Sequence, residues 1–174
     1  MAKPKKTVYL GSDHAGFRLK EAIKAYLKKG GYQVVDLGTD DDRPSDYPDF
    51  VIPAARRAAR SGKGGAAIVF GGSGIGECIA ANKVPGVRAA LVYDTYTARM
   101  SRQHNDANVL CLGGRTATGD ERLAKRLVKL WLETGFSGAV RHKRRIDKLH
   151  RAERSGRRLA SRRGRKPTAR RGAS

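Results

Sequence analysis

The feature that most constrains the fold is the run of residues 66–83, where a short apolar segment passes through a glycine-rich turn into a segment of small residues. The apolar part is too short for an ordinary helix and is rich in β-branched and aromatic residues, so it predicts a buried strand. The turn contains Gly71, Gly72, Gly74 and Gly76, and a helix is predicted to follow. Glycines let a ligand approach the backbone closely, and amides at a helix N-terminus attract negative charge. The loop therefore predicts a site for an anionic ligand or intermediate.

This loop matches neither of the common nucleotide-binding motifs. Gly71 and Gly76 have the outer spacing of a P-loop, but Glu77 and Cys78 stand where that motif requires Lys and Ser or Thr. The glycines also lack G-x-G-x-x-G spacing and follow the third predicted strand rather than the first. What remains is a carboxylate, Glu77, just inside a helix N-terminus and close in sequence to the Ser73 hydroxyl. This combination suits proton transfer beside a stabilised oxyanion.

Strands and helices are predicted to alternate along the chain. Strands are predicted near residues 7–14, 33–38, 66–72, 88–94 and 109–114. A capping-box pair, Thr118 and Glu121, is predicted to begin a long helix, and a last basic helix is predicted from 138 to about 154. This pattern predicts an α/β fold, a three-layer α/β/α Rossmann-like sandwich with a five-stranded parallel sheet.

Ligands of such folds bind at the carboxyl ends of the strands. Three polar clusters follow predicted strands, and a fourth follows the helix after the fourth strand. The clusters are Asp13-His14, residues 71–77, Gly113-Gly114-Arg115 and Arg102-Gln103-His104-Asn105. We expect all four to converge on one edge of the sheet.

The net charge of +21 is concentrated at the C-terminus. Residues 141–174 hold 15 Lys or Arg against Asp147 and Glu153, which leaves only +8 for residues 1–140. We therefore expect a basic N-terminal extension (1–6), one α/β domain that includes the basic helix (7–154), and a disordered basic tail (155–174). Nonspecific nucleic-acid contact by the tail is one interpretation, and a solubilising extension without a dedicated partner is the other.

No apolar run approaches membrane-spanning length, and no signal peptide follows the N-terminal lysines, so we expect a cytoplasmic protein without membrane contact. Cys78 and Cys111 have neither metal-ligand spacing nor a disulfide framework. Packing roles are expected for both.

Taken in order, the clusters resemble type B ribose-5-phosphate isomerase over roughly residues 7–153. The matching segments are 11–16, 46–48, 71–76 with 79–83, 102–105 and 113–115. The resemblance implies an enzyme of the pentose phosphate pathway that interconverts ribose 5-phosphate and ribulose 5-phosphate through an enediolate, without metal or cofactor. It also implies a homodimer whose active sites are shared between subunits.

The resemblance further implies roles for individual residues. Glu77 is the expected base, Ser73 and the amides of Gly72, Gly74 and Gly76 form the oxyanion site, and His104 transfers a proton to the ring oxygen. Sugar contacts are expected from Asp13, His14 and Asn105, and phosphate contacts from Arg115, Arg141 and Arg145. The spacing of four places Arg141 and Arg145 on one side of a helix.

One departure from the family concerns the base. Many members carry a cysteine at the position of Gly71, whereas a subgroup carries glutamate at the position of Glu77, and this chain resembles that subgroup. Cys78 is not a substitute, because adjacent helical residues point about 100° apart. The helix dipole favours an ionised Glu77 whereas burial raises its pKa, and the sequence leaves this balance open.

Two alternative functions stay open from the sequence. One is isomerisation of a six-carbon aldose phosphate, such as allose or galactose 6-phosphate, on the same scaffold. The other belongs to a different class, a nucleic-acid-associated protein that acts through its basic tail.

Overall fold

The computed structural model describes residues 5–62 and 65–163. Five strands are present in this part of the chain: β1 (Lys5–Ser12), β2 (Tyr32–Asp36), β3 (Ala66–Gly71), β4 (Ala89–Leu91) and β5 (Val109–Gly113). Its α-helices are α1 (Phe17–Lys29), α2 (Pro48–Arg60), α3 (Ile75–Asn82), α4 (Thr95–Asn105), α5 (Glu121–Glu133) and α6 (Val140–Arg163). The chain divides into two units, Met1–Gly138 and Ala139–Ser174.

The first unit contains a parallel five-stranded sheet in the order β2-β1-β3-β5-β4. Every residue of β3 and β5 is buried, as expected of central strands that are covered on both faces. Helices α1, α4 and α5 contribute Ile23, Ala98 and Trp131 to one core. Helices α2 and α3 contribute Val51 and Ala81 to the other. The predicted three-layer α/β/α sandwich is confirmed.

The strand register brings three of the predicted polar clusters to one edge. Ser12 at the end of β1 pairs with Phe70 of β3, and Gly71 pairs with Gly113 at the end of β5. The chain adds β2 on one side of β1 and β3 on the other, so the winding reverses between β1 and β3. This is where open α/β sheets bind ligands.

The predicted capping box before α5 is wrong. Asp120, not Thr118, caps this helix, because its carboxylate accepts a hydrogen bond from the backbone amide of Leu123 at 2.8 Å. The Thr118 hydroxyl instead donates to the carbonyl of Gly113 at 2.8 Å. Thr118 thus ties a short 3-10 turn to the end of β5, where the polar loop lies.

The second unit consists of α6 in its described part. The helix predicted to end near Arg154 continues to Arg163, so residues 155–163, which were expected to be disordered, are helical. Arg, Leu and Ala, all strong helix formers, fill most of this stretch. Residues 164–174 and 1–4 lie outside the described residues, whereas Lys5 and Lys6 already belong to β1. In the described part of the chain, no helix is both long and apolar enough to cross a bilayer.

Candidate active site

The turn between β3 and α3 is built on Gly74. This residue caps α3 with a φ of 79°, in the left-handed region that favours glycine. An added Cβ would also lie 2.7 Å from Cδ1 of Leu91. No side chain therefore fits at position 74. The chain passes from this turn directly into the first turn of α3, which carries Glu77. The side chain of Glu77 thereby reaches back toward the end of β3.

The carboxyl group of Glu77 occupies the space that a side chain on Gly71 would need. A Cβ added to Gly71 would lie 1.8 Å from Oε1 and 2.1 Å from Cδ of Glu77. In this geometry a side chain at position 71 and the carboxyl of Glu77 exclude each other. Position 71 carries glycine rather than the cysteine that the resemblance would suggest, and the packing of Glu77 gives a steric reason for this glycine.

Burial sets the pKa of Glu77. The residue is only 3% exposed. Burial raises the pKa of its carboxyl group, the negative charge of Asp13 raises it further, and the backbone amides of Glu77 and Gly74 act in the opposite direction. Burial therefore outweighs these amide hydrogen bonds, and the pKa of the Glu77 carboxyl group is raised. A carboxyl group with a raised pKa is a better proton acceptor once it is ionised.

Asp13 and His14 lie at the end of β1, on the same edge as Glu77. Oδ1 of Asp13 accepts hydrogen bonds from the amides of Ala15 at 2.9 Å and Gly16 at 3.1 Å. Nδ1 of His14 accepts a hydrogen bond from the amide of Ser45 at 3.2 Å. A neutral His14 ring consequently carries its proton on Nε2, which leaves that atom as a donor for a ligand.

Arg115 extends this edge beyond β5. Its amide donates to the carbonyl of Gly72 at 2.9 Å, and its Nη1 lies 3.9 Å from the place where a Cβ of Gly72 would be. His14 and Arg115 line an open cavity of about 470 Å³ together with Arg18. Asp42 and Glu121 also line this cavity, whereas Glu77 does not, so the cavity adjoins the carboxyl rather than enclosing it.

Two residues near the site were missed by the sequence reasoning. Arg18 follows His14 by four residues, a spacing that could have placed both on one side of the chain at the start of α1. The ring of Tyr47 packs on the glycine loop, because a Cβ added to Gly76 would lie 3.0 Å from its Cζ. The resemblance included Tyr47 in a matching segment without giving it a role.

Ser73 lies in the loop itself, and Cys78 follows Glu77 in α3. Ser73 is exposed, and its Oγ accepts a hydrogen bond from the amide of Ile75 at 3.2 Å. Sγ of Cys78 faces the carbonyl of Ala89 at 3.6 Å, not Gly71. A hydrogen bond from the thiol of Cys111 lowers the pKa of Cys78 to about 7. Cys78 thus belongs to the packing between α3 and the sheet.

The expectation that four clusters converge on one edge is wrong for His104 and Asn105. Helix α4 starts after β4 and runs back for 11 residues, about 16 Å, toward the opposite edge of the sheet. There Nε of Arg88, which directly precedes β4, donates to the carbonyl of Asn105 at 2.7 Å. Within one chain, these two residues therefore lie at the other edge from Glu77.

The predicted phosphate-binding residues Arg141 and Arg145 lie on α6, in the second unit. Both are exposed, and their spacing of four places them on one side of that helix. Their contact with phosphate stays a prediction. Among the described residues, no three His, Cys, Asp or Glu side chains gather in a way that suits a metal ion.

Comparison with known proteins identifies the family. Residues 8–149 match the family model described as Ribose/Galactose Isomerase. The chain belongs to the ribose/galactose isomerase family. Within this family, ribose-5-phosphate isomerase B of Mycolicibacterium paratuberculosis is 49% identical over 149 residues, which are 85% of this chain and 92% of the relative. The resemblance that the sequence motifs indicated is confirmed.

Solved structures of this family have the same fold. Ribose-5-phosphate isomerase B of Clostridium thermocellum matches with a TM-score of 0.80 and 46% identity over 86% of this chain and 98% of that one. The Mycoplasma genitalium protein, solved with bound ribulose 5-phosphate, matches with a TM-score of 0.80 and 42% identity over 85% and 96% of the two chains. The isomerase fold therefore extends over nearly the whole length of these relatives, and the C-terminal part of this chain lies beyond it.

Proposed function

We propose that the chain is a ribose-5-phosphate isomerase with Glu77 as its base. The observation that carries this proposal is the placement of a buried carboxyl group in the space that a side chain on Gly71 would fill, at the carboxyl edge of the sheet. The names of the relatives supply the substrate, a phosphorylated five-carbon aldose.

The proposed mechanism is a proton transfer within one sugar. Glu77 removes the proton from C2 of the open-chain aldose, and the C1 carbonyl oxygen becomes an enediolate oxygen. The proton of the C2 hydroxyl then passes to the C1 oxygen, and Glu77 returns its proton to C1, so that C2 becomes the carbonyl carbon of the ketose. Ser73 and the amides of the glycine loop stabilise the oxyanion. His14 and Arg115 face the adjoining cavity, which suits the phosphate because a cationic guanidinium and an Nε2 donor meet there. None of these steps requires a metal ion.

The position of His104 and Asn105 supports a homodimer with shared sites. Both lie at the wrong edge of their own chain, so a second copy must bring them to Glu77 if they act on the sugar. Four large side chains near the glycine loop and at the start of α4 are more than half exposed: Ile75, Ile79, Tyr93 and Tyr96. Exposed apolar side chains of this kind suit an interface with a second copy.

Substrate chain length is tested with a panel of aldose phosphates. We expect the purified chain, with chelator present, to isomerise ribose 5-phosphate with a higher kcat/KM than allose 6-phosphate or galactose 6-phosphate. A preference for a six-carbon sugar would replace the proposed substrate but keep the proposed base. Absence of all isomerase activity would instead favour the nucleic-acid-associated alternative. A cytoplasmic location stays a prediction.

Shared sites are tested by mixing two inactive variants, Glu77→Gln and His104→Asn, after co-refolding. In a dimer with shared sites, each mixed dimer contains one site with both native residues, so random mixing should restore about a quarter of wild-type activity. If each chain supplied its own His104 and Glu77, mixing would restore none.

A further inference from the structure

The C-terminal half of α6 lies outside the residues that match the isomerase family model. The family match ends at residue 149, whereas α6 continues to Arg163. Separate alignments cover 92% of the M. paratuberculosis relative and 98% of the C. thermocellum chain, but only 85% and 86% of this chain. The helix residues after 149 therefore lie outside the family match.

Five basic residues recur on one face of α6, and we call them the cationic face. They are Arg144, Lys148, Arg151, Arg158 and Arg162. At about 100° per residue, the spacings of four, three, seven and four place all five positions within an arc of about 80°. They extend along about 27 Å of helix at 1.5 Å per residue. Arg144, Lys148 and Arg151 are exposed.

The other features of this segment restrict what the cationic face can bind. Residues 139–174 contain no Phe, Tyr or Trp and neither Asn nor Gln. Single-stranded nucleic acids are held largely by stacking on aromatic rings, and adenine is read by Asn or Gln. Membrane-surface helices need a broad apolar face, often with Trp or Phe. The structure describes the side chains of α6 through residue 156. Among these, only Ile146 and Leu149 are large and apolar on the side opposite the cationic face.

We propose that the cationic face binds the phosphate backbone of double-stranded nucleic acid without reading its sequence. A duplex carries one negative charge per about 1.7 Å of its axis, and its major groove is wide enough to admit an α-helix. A row of cations about 27 Å long on a helix can therefore contact several phosphates of a duplex. Binding comes from counterion release and depends strongly on salt.

Two matched variants of the full-length chain test this proposal. Arg151→Gln/Arg158→Gln/Arg162→Gln removes three residues of the cationic face. Arg154→Gln/Arg157→Gln/Arg163→Gln removes the same charge from the same stretch of α6, but from positions outside that face. None of the six residues belongs to the proposed isomerase site, so ribose-5-phosphate isomerisation reports whether both variants are folded. Duplex affinity is measured by fluorescence anisotropy with a labelled mixed-sequence duplex at 50 to 200 mM salt.

We expect five phosphate contacts to give the wild type a loss of affinity of about 500-fold over this range of salt. The face variant keeps two contacts, so its affinity should fall only about 12-fold. The control variant should keep most of the wild-type salt dependence. Equal losses of affinity in the two variants would show that the basic segment binds the duplex through its total charge, and would overturn the assignment to the cationic face. Absence of duplex binding at 50 mM salt would overturn the proposal as a whole. Tighter binding to vesicles of anionic lipid than to the duplex would overturn it in favour of a membrane surface.

Discussion

Replacing Gly71 with Ala should slow the isomerase strongly although its base, Glu77, is unchanged. The new methyl group would lie 1.8 Å from Oε1 of Glu77, and contacts of a real Cβ below 3.0 Å essentially do not occur. The carboxyl group must therefore withdraw by at least about 1.2 Å. Misplacing a catalytic group by about 1 Å lowers the reaction rate on the order of 10²-fold. We expect kcat to fall by about that factor, because the three atoms nearest to the methyl group all belong to Glu77.

The assay is a double-mutant cycle with Gly71→Ala, Glu77→Gln and the double variant, each followed by steady-state isomerisation of ribose 5-phosphate. If Gly71→Ala acts by displacing the carboxyl group, it should cost little more once Glu77 is already Gln. Thermal unfolding checks the fold of each variant. Full activity of Gly71→Ala, or losses that multiply in the double variant, would refute the steric reasoning.

Four further predictions concern substitutions of Glu77, Cys78 and Arg115. Glu77→Gln should lower kcat by about 10²- to 10⁴-fold. Because the pKa of Glu77 is raised in the folded state, the wild type loses stability as the pH rises from 4.5 through the folded pKa. The Glu77→Gln variant should therefore have a higher Tm than the wild type at neutral pH. Below pH 4.5 the two Tm values should be equal. Cys78→Ser should keep the wild-type kcat, and a collapse of activity in a folded variant would reassign the base. Arg115→Ala should raise KM for ribose 5-phosphate more than for ribose, whereas equal effects would remove it from the phosphate site.

Most of the fold could be predicted from the sequence because its signals are local. The apolar run before Gly71 and its equivalents predict the buried strands, and alternation with helices leads to a parallel sheet. The predicted start of α5 was wrong because Thr118 and Asp120 are both good capping residues. The hydrogen bond of Thr118 to Gly113 leaves Asp120 as the residue that caps the helix. The end of α6 was placed too early because high charge suggests disorder, although arginine is also a good helix former.

The candidate site was predictable where it follows strand ends and not where it depends on a helix direction. Asp13 and Arg115 lie within two residues of a strand end, and Glu77 lies in the first turn of the helix after β3, so their common edge follows from parallel pairing. His104 comes 11 residues after Tyr93, at the end of a helix that returns to the other edge, and the resemblance obscured this separation. Whether burial or the helix dipole sets the pKa of Glu77 also required the structure, because the two effects oppose each other.

The most direct test of the central claim, that Glu77 carries the proton between C2 and C1, is hydrogen exchange followed by NMR. Ribose 5-phosphate is incubated in deuterated water with the wild type and with folded Glu77→Gln at equal concentration. The account predicts that the wild type incorporates deuterium at C2 of ribose 5-phosphate and at C1 of the ketose product, and that the variant does so at least about 10²-fold more slowly. Exchange by Glu77→Gln at the wild-type rate would contradict it.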